Sequence, residues 1–342
     1  SILKSFAESG QKAYHSLRDF CLMVEEEILE ILSEFGPLSS QEIEKELQSR
    51  GFEIRSRTVR YHLKKLELRG LVSKNDYGKS QITTKGIEFL RGVKTSERLG
   101  EFTERIELNV YSCDFDIFRM KGRVPTNVAF IRKENFENCI RILEEMENFP
   151  FLIHRGVFIA DEGEELGGKT VPQGLFAIVT ISNTIYDVLL RSAGVNTYPE
   201  FSALVGVEKM IPKRILELIS YAGTTMSPGW LLLRSRLTSV SSILRTGDGI
   251  IISAVRSFSR YAIDIVVRNV ELASSKGFGG VLAILHPSDK RFSLPTGKRA
   301  RLFVSAGLNH LAPIHEMGIE MDVRVNEILL EFTKFKPISQ VK

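Results

Sequence analysis

The sequence predicts an α/β (α+β) protein in two parts: an N-terminal winged helix-turn-helix, then a larger α/β domain with an internal pseudo-repeat. Three observations predict it. A helix, a turn, a basic helix and a small hairpin follow one another between residues 20 and 93, which is the order of a winged helix. A polar stretch, Lys94 to Arg105, lacks a sustained apolar face and reads as a linker. Beyond it, over 106–336, β-branched runs alternate with helical patterns and recur at an offset of 123 to 124 residues, giving pseudo-repeats at about 124–195 and 248–319.

The first helix is marked by Val24, Ile28, Ile31 or Leu32, and Phe35, and is closed by Gly36-Pro37. Ser39 with Glu42 forms an S-x-x-E capping box for the second. Ile43 and Leu47 are its buried face, and Gly51 ends it. The third element, SRTVRYHLKKLELRG from Ser56 to Gly70, carries the most functional information. Val59, Leu63 and Leu66 make an apolar stripe at i, i+4, i+7. At roughly 100° per residue, Arg57, Arg60, Tyr61 and Lys64 cluster opposite it. From Ile54 to Lys79 there are eight basic residues and two acidic ones, a local excess of +6 in a chain whose net charge is only +4. Charge concentrated in this way suits phosphate binding.

Leu71-Val72 and Ile82 are expected to pair as short strands around an Asp76-Tyr77-Gly78 turn, which makes a wing. Tyr77 either packs on a sugar or fills the turn. Thr84 is expected to cap a last helix running through Leu90. The expected partner is double-stranded DNA, met by Arg57, Thr58, Arg60, Tyr61, Lys64, Lys65, Lys74 and Lys79. Arg57 and Arg60 are placed to reach base edges, since arginine pairs bidentately with guanine. Lys64 and Lys65 are placed to hold phosphates, and Lys74 and Lys79, flanking the wing tip, to contact phosphates or the minor groove. His62 adjoins the apolar stripe and reads as a packed residue.

In the second part, VAFIRKENF, GVFIADEG and VPQGLFAIVTIS of the first copy correspond to IISAVRSFSR, GVLAILHP and LPTGKRARLFVS of the second. Pro172 matches Pro295, Gly174 matches Gly297 and Ser182 matches Ser305. Each copy reads strand, helix, strand, tight turn, strand, helix. Phe136, Ile140 and Leu143 mark one helix; Ile263, Val266 or Val267, and Val270 mark the other. The paired P-x-G segments suit hairpins. Strands ending in Ser182 and Ser305 run straight into helices, whose free N–H groups suit anions. Thr180, Ser182, Asn183 and Thr184 line one junction; Ser305, Gly307 and Asn309 line the other. Tyr221-Ala222-Gly223-Thr224-Thr225 ends an apolar run. Arg132 and Arg256 stand at corresponding strand ends, where either can neutralise an acid. The expected anion-binding set is Thr180, Ser182, Thr184, Thr224, Ser305 and Asn309.

Other functions find little support in the residues. No apolar run reaches the ~18 residues of a membrane span, and no signal-peptide pattern opens the chain. Cys21, Cys113 and Cys139 are widely spaced, which fits reduced thiols and a cytoplasmic location. His310 and His315 have no third metal ligand nearby, and no cofactor is expected. G-x-S-x-G and HExxH motifs are missing from the sequence, as is the Gly/Arg-rich adenylate loop of the winged-helix biotin ligases.

The winged helix, then VPQG…TISNTIYDVLL…GV, SYAGTTMSP, DGIIISAVRSFSRYA, GFGGVLAILHP and LPTGK…SAGLNHLAPIHEMGI, in that order, resembles the archaeal nitrogen-regulatory repressors, the NrpR family. The resemblance spans residues 20 to 336. It implies a repressor of nitrogen-assimilation genes that binds operator DNA as a homodimer or higher homo-oligomer and is released by 2-oxoglutarate. Two positions depart from the family pattern. Ile181 stands where the family often has cysteine, and the GLNPxAA-like segment reads Gly307-Leu308-Asn309-His310-Leu311-Ala312-Pro313. Both lie where the effector is expected. The alternative is a partner-dependent or architectural winged-helix regulator whose second domain dimerises and binds no metabolite.

Overall fold

The computed structural model describes residues 23–93, 99–294 and 297–341, in two compact units divided between Arg98 and Leu99. Cys21, Pro295 and Thr296 lie outside the described residues.

In the first unit, residues 23–35 are α1, followed by α2 (Ser40–Ser49) and α3 (Ser56–Leu68). The strands β1 (Val72–Lys74) and β2 (Ser80–Ile82) form the wing, with Val72 opposite Ile82, and α4 (Thr84–Val93) follows. Both halves of the Ser39–Glu42 capping box are present. The core joins Val24, Ile28, Leu29, Ile31 and Leu32 to Ile43, Leu47, Val59, Leu63 and Leu66. Phe35 departs from the expected stripe: it lies at the end of α1 and is exposed. Capping of α4 also differs by one residue. The Thr83 hydroxyl, not Thr84, accepts from the Gly86 N–H at 3.0 Å.

The second unit opens with α5 (Glu101–Ser112). Residues 101–105, expected in the linker, are therefore its first turns. Phe102 is buried, but its apolar partner Ile106 falls just beyond the polar window, so the helical face was cut in two. The first copy is β3 (Arg123–Arg132), α6 (Phe136–Met146), β4 (Val157–Ala160), a small ribbon of β5 (Glu165–Leu166) and β6 (Lys169–Thr170), β7 (Leu175–Ile181) and α7 (Ile185–Ser192). A hairpin of β8 (Tyr198–Glu208) and β9 (Ile211–Ser220) and the short helices α8 (Pro228–Arg234) and α9 (Val240–Thr246) lead to the second copy. That copy is β10 (Gly249–Phe258), α10 (Ile263–Ser275), β11 (Val281–Leu285), β12 (Ala300–Ser305) and α11 (Ala312–Glu316), and β13 (Asp322–Glu331) follows it.

The two sheets have the orders β4-β7-β3-β13 and β11-β12-β10-β8-β9. The strand that follows the first copy, β8, thus pairs with β10 of the second, and β13, which follows the second, pairs with β3 of the first. Each half completes the other's sheet by a reciprocal strand exchange. Alternate residues of the strands face two separate cores: Ala129, Ile131, Ile251 and Val255 belong to one, Val128, Ala254 and Phe258 to the other. Both faces are buried, which explains the near-continuous apolar runs. In α6 the buried face is Cys139, Ile142, Leu143 and Met146, while Phe136 lies on its margin and is partly exposed. The Pro172–Gly174 turn is a reverse turn: Leu175 N–H donates to the Pro172 carbonyl at 3.2 Å and Gly174 takes a φ of 77°.

The two strand-to-helix junctions meet at the centre of the unit. A Cβ on Gly307 would lie 2.4 Å from the Ile181 carbonyl oxygen, 2.7 Å from Asn127 Nδ2 and 3.2 Å from Ser182 Cα. Gly307→Ala therefore forces backbone apart, and overpacking of this kind costs ~1–3 kcal/mol. Denaturant unfolding of the full chain is expected to show a lower midpoint, equivalent to a loss of that much unfolding free energy; an unchanged midpoint would contradict this close approach.

Candidate functional site

The first site is the outward face of α3. Arg57, Thr58, Arg60, Tyr61 and Lys64 are all exposed, while Val59, His62, Leu63 and Leu66 are buried behind them. No acidic side chain lies within the first turn of α3, but Glu44 of α2 accepts from the Ser56 N–H at 2.9 Å, so a carboxylate already caps the helix start. His62 is packed as expected, with Nδ1 3.3 Å from Glu25 Oε1. Lys65 and Arg69 share that carboxylate, at 3.7 and 2.9 Å. Positions 62, 65 and 69 recur at i, i+3, i+7 and face α1, so Lys65 contributes to holding the two helices together.

On the wing, Lys74 is exposed and Tyr77 stands out with 91% of its surface accessible. Tyr77 therefore does not fill the turn; Asn75 does, its side-chain oxygen accepting from the Tyr77 and Lys79 N–H groups. Lys79 turns back to Glu42, with Nζ 2.9 Å from Oε1. The Ser39 backbone N–H and Lys79 hold the Glu42 carboxyl down to about 2. Lys79 thus fastens the wing to the cap of α2.

The second site lies in the regulatory unit. Ser182, Thr184, Ser305 and Asn309 are all buried, and their hydrogen bonds stay inside the fold. Ser182 Oγ lies 3.3 Å from Thr184 Oγ1 and accepts from the Thr184 N–H. Asn309 binds both the N–H and the carbonyl of Ile252, and donates to Ser305 Oγ at 2.8 Å. Thr224 is half-buried, and its hydroxyl donates to the Met226 carbonyl. These residues lock the junctions. Thr180 differs: it sits opposite Asn127 across β3 and β7, and its buried hydroxyl has no partner within the protein.

Beside the junctions is a small polar cavity, which leaves about 20 Å³ open to the centre of a water molecule, against the roughly 10–15 Å³ that one water needs. Asn127, Ser253, Arg256, Tyr221 and Asn326 are among its lining residues. Arg256 is 1% exposed. Its Nε donates to both Asp187 oxygens, at 3.1 and 3.0 Å. Burial by itself would depress the Arg256 pKa; the Asp187 charge overrides that, and the guanidinium stays protonated. Asp187 in turn accepts from the Thr197 hydroxyl. On its far side Asp187 lines an open cleft of about 260 Å³ with Tyr111, Arg191 and Tyr198. The ion pair is the wall between cleft and cavity.

Backbone irregularities aim these side chains. The β10–β8 register shifts between Val255 and Arg256, and the β13–β3 register shifts between Val325 and Leu329. Asn326, within the second shift, has a φ of 57°. Bulges commonly re-aim side chains beside sites. The sequence pointed to Arg256 as an acid neutraliser but not to Asp187, which lies 69 residues earlier. Arg132, its proposed counterpart, is exposed and bridges Glu134 at 3.4 Å. His310 is buried, and burial pushes its pKa down to about 3. Among the described residues no group of three or more His, Cys, Asp or Glu is arranged to hold a metal ion. No described helix is long and apolar enough to cross a membrane.

Comparison with known proteins gives related results for both units. Residues 99–337 match the model of NrpR regulatory domains NRD1 and 2, and residues 26–90 match that of the ribonuclease R winged-helix domain. The chain is 28% identical to the global nitrogen regulator NrpRI of Methanosarcina mazei over 91% of this chain and 97% of that protein. It is 26% identical to the global nitrogen regulators NrpR of Methanococcus maripaludis, over 88% of this chain, and Methanocaldococcus jannaschii, over 77%. It spans about half of those two longer proteins, 52% and 47%. A crystal structure of a nitrogen repressor-like protein from Methanococcus jannaschii has the same fold, with a TM-score of 0.58 at 17% identity, over 69% of this chain and 97% of that one.

Proposed function

The chain belongs to the NrpR family, and on that premise we propose that it is a DNA-binding transcriptional repressor of nitrogen-assimilation genes, released from operator DNA by a small anionic effector such as 2-oxoglutarate. The observation that carries the DNA half is the face of α3. Arg57, Arg60, Tyr61 and Lys64 are exposed together on a helix whose other side is core, the arrangement of a recognition helix in the major groove. A homodimer would set two such helices about one DNA turn, ~34–36 Å, or a multiple of it, apart.

The effector half draws on the regulatory unit, where polar side chains surround a buried arginine. The ligand acts by binding the DNA-incompetent arrangement more tightly and so shifting the population. Thermal unfolding with and without 2-oxoglutarate tests this half. A ligand of the native state at 100 times its Kd stabilises by ~2.7 kcal/mol. At ~2–4 °C per kcal/mol for a unit of this size, the expected rise is roughly 5–10 °C. A partner-dependent regulator without a metabolite is the second reading, and it draws on the departures at Ile181 and His310, which are both buried beside the junctions. An unfolding temperature that no metabolite moves favours that reading.

A further inference from the structure

The acidic side chains around the DNA face of the first unit are held in different ways. Glu25 is bridged by Lys65 and Arg69, and Glu42 by Lys79, so these charges are balanced within the unit. Glu44, on α2, is not. Among the described residues it bonds only neutral donors, the Ser56 N–H at 2.9 Å through Oε2 and the Gln48 amide at 3.4 Å through Oε1. It is half-buried, and both of its oxygens are tied down. Glu53, in the turn between the two helices, is exposed and has no side-chain bond among the described residues, so it can swing away from an approaching anion.

The place that Glu44 fills matters for DNA. A helix N-terminus offers free N–H groups and a positive dipole end, a common anchor for a backbone phosphate. The usual local cap is a Ser, Thr, Asp or Asn at the N-cap, but α3 has Arg55 there, with no side-chain cap bond. The cap comes instead from α2, and it brings a fixed negative charge to the start of the helix. A phosphate set against that turn meets a carboxylate and finds the Ser56 N–H already taken. Phosphates farther along α3 are spared: Lys64 stands eight residues on from Ser56, about 12 Å along the axis.

Non-specific binding is carried by phosphate contacts that any duplex supplies, whereas a specific complex turns the start of the recognition helix toward base edges. We propose that Glu44 is a specificity-determining residue: its fixed charge at the start of α3 penalises complexes in which a phosphate occupies that turn, and so makes tight binding depend on the base contacts of Arg57 and Arg60. The inference rests on the DNA-binding reading and adds how unrelated DNA is disfavoured. Specificity is a difference between two affinities, and a charge set against the wrong complex raises it as a contact with the right one does. Arg55, Arg57, Arg60 and Lys64 are all exposed, and without that charge they would draw any duplex alike.

The test is competition binding of the full chain to promoter DNA of nitrogen-assimilation genes and to an unrelated duplex of equal length, at several salt concentrations. The proteins are wild type, Glu44→Gln, Glu44→Asp and Glu53→Gln, each also unfolded thermally. Glu44→Gln keeps an oxygen for the Ser56 N–H and loses the charge. It is expected to bind the unrelated duplex about tenfold more tightly, the worth of one added charge-assisted contact, and promoter DNA with a much smaller gain. Its salt slope on the unrelated duplex is expected to steepen by about one, for one more phosphate held. Glu44→Asp keeps the charge with a shorter reach, and is expected to unfold at a lower temperature yet discriminate as wild type does. Glu53→Gln removes a charge from the neighbouring turn and is expected to leave the ratio of the two affinities unchanged. If Glu44→Gln discriminates as well as wild type, or if Glu53→Gln lowers the ratio equally, the proposal is overturned and Glu44 is a cap alone. Should Glu44→Gln fail to fold, Glu44→Asp decides: discrimination lost with the charge kept overturns the proposal, and discrimination kept with a weakened cap supports it. If wild type itself shows no preference for the promoter, the DNA-binding reading fails and the inference with it.

Discussion

Asp187→Ala is expected to destabilise the regulatory unit by about 3–5 kcal/mol, the usual cost of leaving a buried charge without its partner. Arg256 is 1% exposed and its Nε contacts both oxygens of Asp187. No other acidic side chain bridges it among the described residues. At ~2–4 °C per kcal/mol for a unit of this size, the unfolding temperature is expected to fall by roughly 10 °C. The pair is not expected to contribute that much net stability, because desolvating two charges offsets much of their attraction. The double change Asp187→Leu with Arg256→Met should therefore recover most of the loss. A loss below ~1 kcal/mol for Asp187→Ala would mean that Arg256 is hydrated, which its burial contradicts.

The second large effect concerns DNA. Arg57→Ala and Arg60→Ala are each expected to weaken operator binding by about 1–3 kcal/mol, roughly 5- to 150-fold, and to relax preference at one base position. Both side chains are exposed on the face of α3 opposite its core stripe. Lys64→Ala should behave differently, weakening all sequences about evenly and lowering the salt slope by about one. Lys65 and Lys79 should matter less for affinity, since each is engaged by a carboxylate of its own unit, Glu25 and Glu42 respectively. Competition binding at several salt concentrations separates these outcomes. If neither arginine change alters operator binding, α3 is not the recognition helix.

The winged helix was legible because its signals are local. Capping box, stripe and basic face each sit within one helix length, so periodicity alone placed them. Wing and cap details slipped by single side chains: the cap of α4 falls one residue early, on Thr83, and Lys79 turns to Glu42, 37 residues away. In the regulatory unit the internal repeat was visible, but the strand exchange was not. The pairing of β3 with β13 joins residues about 200 apart, such as Val128 and Arg324, and an alternating or apolar strand carries no address for its partner. The boundary of α5 was lost because Phe102 and Ile106 fall on either side of a composition shift. Polar residues at the junctions were read as ligand contacts from their type. Type cannot distinguish Asn309, whose amide is fully used by Ile252 and Ser305, from Asn127, whose amide is not used at all.

The most direct test of the whole account is binding of the full chain to promoter DNA of nitrogen-assimilation genes, against unrelated DNA of equal length, with and without 2-oxoglutarate in one buffer. The promoter is expected to be bound preferentially, and 2-oxoglutarate to abolish that binding while leaving the protein folded. Equal binding to both DNAs, or promoter binding that 2-oxoglutarate leaves intact, would contradict it.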